Sequence, residues 1–233
     1  MPQTGPDDDD TVLVTRTPPS GLVAVRPALV PELRLALAGD LVELWERAGT
    51  ADPPFWSCAW PGGQALARYL LDHPGVVTGR SVVDMASGSG IVALAAAAGG
   101  ARSVTAVDVD PAAGAALARN LGLNPWIGQP VAFHCGDVLD DPPGEIDVVC
   151  AGDVCYEGAM ARRMVRWLAA AATAGATVVI GDPGRSYLPD RASLSRLAVY
   201  RVPGDGVVDG SDAIDTAVYR LGTIGGPHLP ADA

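Results

Sequence analysis

Two stretches of this chain hold the residues best suited to chemistry: Val82-Val83-Asp84-Met85-Ala86-Ser87-Gly88-Ser89-Gly90-Ile91, and Val104-Thr105-Ala106-Val107-Asp108-Val109-Asp110-Pro111. Each is a short apolar segment that runs into small or acidic residues. Gly88 and Gly90 let the backbone approach a ligand with no Cβ in the way. Asp108, at the end of the second segment, can accept both hydroxyl protons of a ribose, with Val109 beside it in the same site. Together they describe a nucleoside crevice at the carboxyl edge of a parallel sheet. Asp84, four residues before Gly88, is expected near a cationic part of the ligand, and a carboxylate there would oppose a pyrophosphate. The pattern therefore favours S-adenosylmethionine, with S-adenosylhomocysteine as its product, over a dinucleotide. Gly88 to Ala93 does satisfy G-x-G-x-x-A, and Asp108 lies 18 residues beyond Gly90. Alone, that match is weak. Some 80 residues precede the turn, and the last two β-like runs suit an antiparallel pair rather than a second mononucleotide-binding half.

Other residues extend the site. Asp137, in Cys135-Gly136-Asp137-Val138, either accepts from an adenine amino group or caps its own turn. Val138 and Gly152 join the cofactor set. Asp110 reads as the N-cap of the helix that follows. Asp153 and Tyr156 leave an apolar strand where a methyl acceptor should enter. Asp153 is read as accepting a hydrogen bond from the acceptor nitrogen, or else as capping a helix that starts near Gly158. Tyr156 lines the pocket and Glu157 contributes more weakly. Trp60 covers the methionine end of the cofactor or is a plain core aromatic, with Gly62 and Gly63 opening a helix close to it. Phe55 and Trp56 form a lid or belong to the core. Arg185 binds a partner or ties down Asp153. If the acceptor is a lysine, its neutral form costs roughly 4 kcal/mol at neutral pH. The site must therefore desolvate and orient the amine, and a carboxylate there orients better than it deprotonates.

Positioning these groups requires strict β/α alternation. Strands are expected at 81–85, 103–108, 131–135, 146–151 and 176–181. Helices fall at 90–98, after Asp110-Pro111, and around Met160, Met164, Trp167 and Leu168. Runs Leu197 to Val202 and Ala213 to Leu221, joined by a Gly- and Asp-rich loop, read as antiparallel strands. Upstream, Thr11 to Arg16 and Leu22 to Arg26 are β-like. Leu33, Leu37, Leu41 and Trp45 recur every four residues and predict a helix from Pro31, weakened at Gly39-Asp40. The expected divisions are a disordered tail over 1–10, an N-terminal arm and helix over 11–54, one α/β domain over 55–224, and a flexible tail over 225–233. Whether 11–54 caps the site is left open.

Composition narrows the class. The 233 residues are 48% hydrophobic and carry a formal charge of −11. That balance argues against nucleic acid. Cys58, Cys135, Cys150 and Cys155 lack metal-ligand or secreted-framework spacing, so a reducing, cytoplasmic setting is expected. His73, His134 and His228 are scattered. No apolar run reaches the roughly 18 residues a membrane span needs, and no metal or membrane partner is expected.

Several segments resemble the electron transfer flavoprotein β-subunit lysine methyltransferases: Pro31 to Leu35, Leu44 to Ala48, Trp60-Pro61-Gly62-Gly63-Gln64 through Asp72, Gly152-Asp153-Val154-Cys155-Tyr156, and Gly181-Asp182-Pro183-Gly184-Arg185. The similarity runs from about Pro31 to Leu221. It implies a class I methyltransferase: a Rossmann-like seven-stranded sheet of order 3-2-1-4-5-7-6, with strand 7 antiparallel. It also implies methyl transfer from S-adenosylmethionine to a protein lysine, in that family on the flavoprotein's β subunit. Ala86 stands where the family's first motif usually has Gly, which a negative φ would accommodate. The competing readings are a small-molecule N- or O-methyltransferase, a non-catalytic adenosyl-binding module and, remotely, a dinucleotide oxidoreductase. A closed aromatic pocket would favour the small molecule; an open groove would favour a protein.

Overall fold

The computed structural model describes residues 21–203 and 213–222. The two expected tails, the Thr11 to Arg16 run, the loop before Ala213 and His228 lie outside the described residues. Strands β1 (Leu22–Val25) and β2 (Leu35–Ala38) form an antiparallel hairpin, and helix α1 (Leu41–Ala48) follows. This corrects the helix expected from Pro31. Asp40 is the N-cap of α1, its carboxylate accepting from the Glu43 N–H at 2.9 Å, so the helix starts at Leu41. The preceding stretch is extended because its backbone is claimed from elsewhere. Asn124 brackets the Arg34 backbone, with its Oδ1 at 2.9 Å from the N–H and its Nδ2 at 2.7 Å from the carbonyl. Asn120 accepts from the Ala36 N–H at 2.7 Å.

The main sheet contains β3 (Ser81–Met85), β4 (Ser103–Asp108), β5 (Val131–Cys135), β6 (Val148–Gly152), β7 (Thr177–Asp182), β8 (Leu194–Pro203) and β9 (Ala213–Leu221). Their order is β5-β4-β3-β6-β7-β9-β8, which is 3-2-1-4-5-7-6 when β3 is counted as the first strand. The first five run parallel, and β9 is antiparallel to both its neighbours. Helices α2 (Pro61–Asp72), α3 (Ile91–Ala98), α4 (Pro111–Gly122) and α5 (Gly158–Thr173) complete the layers.

The pleat sorts residues onto two cores. Val82, Ala106, Cys150 and Val179 face α2, α3 and the hairpin, whereas Met85, Val107, Val149 and Ile180 face α5. Parallel strands buried on both faces explain why these segments are almost continuously apolar. No helix among the described residues is long and apolar enough to cross a membrane.

Candidate active site

At the carboxyl edge, β3 ends in a turn whose shape the residues set one by one. Ala86 has φ 52°, Gly88 φ 51° and Gly90 φ 77°. The expectation of a negative φ at Ala86 is thus corrected. An L-residue there costs roughly 1–2 kcal/mol, and the turn keeps its left-handed shape despite the missing glycine. A Cβ on Gly90 would lie 2.6 Å from Leu117 Cδ1, so Leu117 of α4 packs against the bare start of α3.

Asp108, at the tip of β4, organises the turn from the opposite side. Its Oδ2 accepts from the Gly88 N–H at 2.8 Å and its Oδ1 from the Asp110 N–H at 3.0 Å. Each carboxylate oxygen keeps a lone pair for a ribose hydroxyl. Burial, the largest influence, raises its pKa despite these amide donors. Val109 beside it is 69% exposed and offers an apolar face. Asp110 caps α4, accepting from the Ala112 N–H at 2.8 Å.

Asp84 does not reach the ligand side as expected. Sharing the pleat face of Val82, it points beneath α3, where its Oδ2 accepts from the Ala93 N–H at 3.0 Å, and it is 1% exposed. The buried carboxyl group serves the first turn of α3 rather than a ligand. Burial pushes the Asp84 pKa up to about 8, against the Ala93 hydrogen bond and with repulsion from Asp108 adding to the rise. The folded state therefore holds an extra proton above the ordinary carboxylate range. That proton stabilises the fold fully below about pH 4, and its contribution is lost as pH rises through about 8. Asp84→Asn keeps an acceptor for Ala93 and cannot ionise. Its melting temperature relative to the parent should climb steadily from pH 5 to pH 8.5, and parallel melting curves across that range would refute the buried proton.

Other expectations move as well. Asp137 is exposed, accepts from the Leu139 N–H at 3.0 Å, and pairs with Arg163 at 2.7 Å. Its Oδ1 takes the turn-capping role and its Oδ2 the ion pair, and the Arg163 hydrogen bond holds its carboxyl below the usual range. Val138 packs on the α5 core. A Cβ on Gly152 would lie 2.9 Å from Gly63 Cα, so this glycine admits α2 rather than a ligand.

Beside the turn lies a second group of residues. Asp153, with φ 54°, is 7% exposed. Its Oδ2 accepts from the Gly62 N–H at the start of α2, and its Oδ1 accepts from Arg185 Nη2 at 3.0 Å and Nε at 3.2 Å. Of the sequence alternatives, Arg185 ties down Asp153, and Asp153 caps α2 rather than α5. Glu157 caps α5 instead, accepting from the Ala159 and Met160 N–H groups. Burial raises the Asp153 pKa to about 6, with Arg185 and Gly62 opposing the rise. Asp182, also buried, fixes the following loop by accepting from the Gly184 and Arg185 N–H groups at 2.6 and 2.7 Å.

Phe55 joins the two halves. Its carbonyl accepts from Trp60 Nε1 at 2.9 Å and faces bare Gly88, lying 3.8 Å from where a Cβ would be. Its ring lies 5.8 Å from the Trp60 ring and 5.8 Å from the Tyr156 ring, measured between centroids. Phe55 is 38% and Tyr156 49% exposed, so the aromatic face opens outward. The sequence offered Phe55 as part of a lid or of the core; its link to Trp60 and Tyr156 was not among those readings.

The residues fit an adenosyl cofactor. The turn offers glycine backbone, the Asp108 carboxylate supplies acceptors, and Ser87 Oγ is buried there without a hydrogen-bond partner among the described residues. Among the described residues no cluster of His, Cys, Asp and Glu could hold a metal. A depression of about 920 Å³ at the opposite sheet edge, near Arg102 and Asp147, is distant from these groups. Its polar side chains satisfy one another, with Asp147 accepting from Ser81 Oγ at 2.8 Å and from Arg102 at 3.1 Å.

Comparison with known proteins agrees with this geometry. Residues 64–154 match the family described as ribosomal protein L11 methyltransferase (PrmA). The chain is 38% identical over 199 residues to the electron transfer flavoprotein beta subunit lysine methyltransferase of Rattus norvegicus, covering 82% of this chain and 77% of the relative. The Mus musculus protein of the same description is 40% identical over 183 residues, covering 76% and 71%. A proposed RNA methyltransferase of Pyrococcus horikoshii superposes with a TM-score of 0.53 at 20% identity, covering 74% of this chain and 91% of that one, and shows the fold alone.

Proposed function

Because this chain belongs to the electron transfer flavoprotein beta subunit lysine methyltransferase family and is an S-adenosylmethionine-dependent methyltransferase, we propose that its acceptor is a lysine of an electron transfer flavoprotein beta subunit. One observation of geometry supports this most directly. The Asp108–Gly88 turn stands beside an aromatic face, Phe55 and Tyr156, that opens to the surface as a protein side chain needs. A small-molecule enzyme would enclose that face. The four cysteines are free thiols, which suits the reducing cytoplasm we propose as its location.

The roles follow from position. Gly88, Gly90, Asp108 and Val109 would hold the nucleoside, and Ser87 and Trp60 the methionine end; bound there, S-adenosylmethionine supplies an electrophilic methyl group. Tyr156 and Phe55 form the face along which the acceptor side chain enters. Asp153, ionised above about pH 6, orients an N–H of the acceptor through the lone pairs that Gly62 and Arg185 leave open. It is too weak a base to hold the lysine's proton, which leaves to solvent.

The test is incubation of the purified protein with methyl-labelled S-adenosylmethionine and the flavoprotein. The chain contains no lysine of its own, so methyllysine recovered on hydrolysis comes from the acceptor. Label confined to small molecules would overturn the assignment. Asp108→Ala should weaken cofactor binding about tenfold or more by calorimetry, as the ribose acceptors and the Gly88 anchor are lost together. An unchanged Kd would remove Asp108 from the cofactor site.

A further inference from the structure

We propose that Phe55 is a specificity-determining residue for a cationic acceptor, its ring and that of Tyr156 forming the wall that receives the lysine ammonium before transfer and the methylammonium after it. The inference rests on the acceptor being a protein lysine and goes further, naming the residue that selects it. Three observations on separate elements converge. First, the Phe55 and Tyr156 ring centroids are 5.8 Å apart at 47°, and both rings reach the surface. Two tilted π-faces at that separation suit an alkylammonium, whose charge is attracted by the ring quadrupole and whose carbons pack on the same face. Second, the rings stand in a field of carboxylates. The Tyr156 phenol is held above its usual pKa, first by burial and then by repulsion from Asp108, Glu157, Asp52 and Asp153. Negative charge behind an aromatic wall draws in a cation and repels an anion. Third, Phe55 is fixed to the cofactor side. Its carbonyl is bonded to Trp60 and faces Gly88, which registers its backbone against the turn, and its ring packs on the Trp60 ring.

The geometry also accounts for the residue type. A hydrogen-bonding side chain at position 55 would fix the direction of the ammonium N–H groups. An aromatic face attracts the cation without fixing an N–H direction, and its carbons keep packing on the ring once the amine is neutral.

Phe55→Leu keeps an apolar side chain of similar bulk and removes the ring, and Phe55→Trp restores a ring. With the flavoprotein beta subunit as acceptor, Phe55→Leu should raise its KM about tenfold with kcat within threefold, an effect in the range of a desolvated cation–π contact. Phe55→Trp should recover most of that loss. Cofactor Kd and melting temperature should stay at parental values in both, which a packing defect would not allow. If the parent methylates the subunit and Phe55→Leu leaves its KM within twofold, this proposal is wrong and the lysine assignment stands. A Phe55→Trp variant as impaired as Phe55→Leu would also overturn it, since shape rather than charge recognition would then be at work. If the parent methylates no lysine, the assignment and this inference fall together.

Discussion

Asp153→Asn is expected to lower kcat about 100-fold through lost orientation of the acceptor, with S-adenosylmethionine affinity held within about threefold. Asparagine retains the volume and one acceptor oxygen, so either the Gly62 N–H or Arg185 keeps a partner and the chain still folds around it. The negative charge beside the acceptor nitrogen is lost. Single-turnover measurements at saturating cofactor read the effect without product release. The pH profile separates orientation from packing. In the parent, turnover should fall as pH drops through about 6, where the buried carboxyl takes up its proton; the variant should lack that limb. Asp153→Ala is the harsher change. It leaves the Gly62 amide without its acceptor and removes the Asp153 partner of Arg185, adding destabilisation of roughly 1–3 kcal/mol. Asp153→Asn turning over within threefold of the parent would assign Asp153 to architecture alone.

Much of this arrangement was legible because local and tertiary demands agree. Segments 81–85, 103–108 and 131–135 emerge as strands residue for residue. Each is a largely apolar run stopped by turn or capping residues, and in 81–85 and 103–108 burial on both faces reinforces the strand reading. Residues 31–40 failed for the opposite reason. Leu33, Leu37 and Leu41 repeat every four positions, yet Leu33, Leu35 and Leu37 equally repeat every two. The choice is made by Asn120 and Asn124, more than 80 residues away, which hydrogen-bond the extended backbone. No local propensity carries that information. Asp84 was misread although its pleat parity was available. It lies two residues from Val82 and so shares the face that α3 covers. The motif suggested a ligand contact, and alternation along the strand decided otherwise. The Asp153 clamp was half legible. Its tie to Arg185 was among the alternatives, whereas its bond to Gly62 depends on where α2 crosses the strand ends, a distance of 91 residues in sequence.

That crossing carries the second large effect. Gly62→Ala should destabilise the protein by about 3 kcal/mol or more, against an intrinsic helix preference that would favour alanine by roughly 1 kcal/mol. A Cβ at Gly62 would lie 2.3 Å from the Gly181 carbonyl oxygen, 2.6 Å from Asp153 Oδ2 and 2.7 Å from the Asp153 N. Two of those atoms are backbone, in β7 and just past β6, and cannot rotate away. Relief requires lifting the start of α2 off the sheet, which parts Gly62 from Asp153 and should depress turnover together with stability. Gly122, at the end of α4, supplies the control: nothing lies within 4 Å of its Cβ position. There the propensity acts unopposed, and Gly122→Ala should stabilise by roughly 0.5–1 kcal/mol without touching activity. Urea denaturation of the two variants beside the parent measures both signs. If Gly62→Ala proved as stable as Gly122→Ala, α2 would not be packed on bare glycines, and the clamp that holds Asp153 in place would lose its anchor.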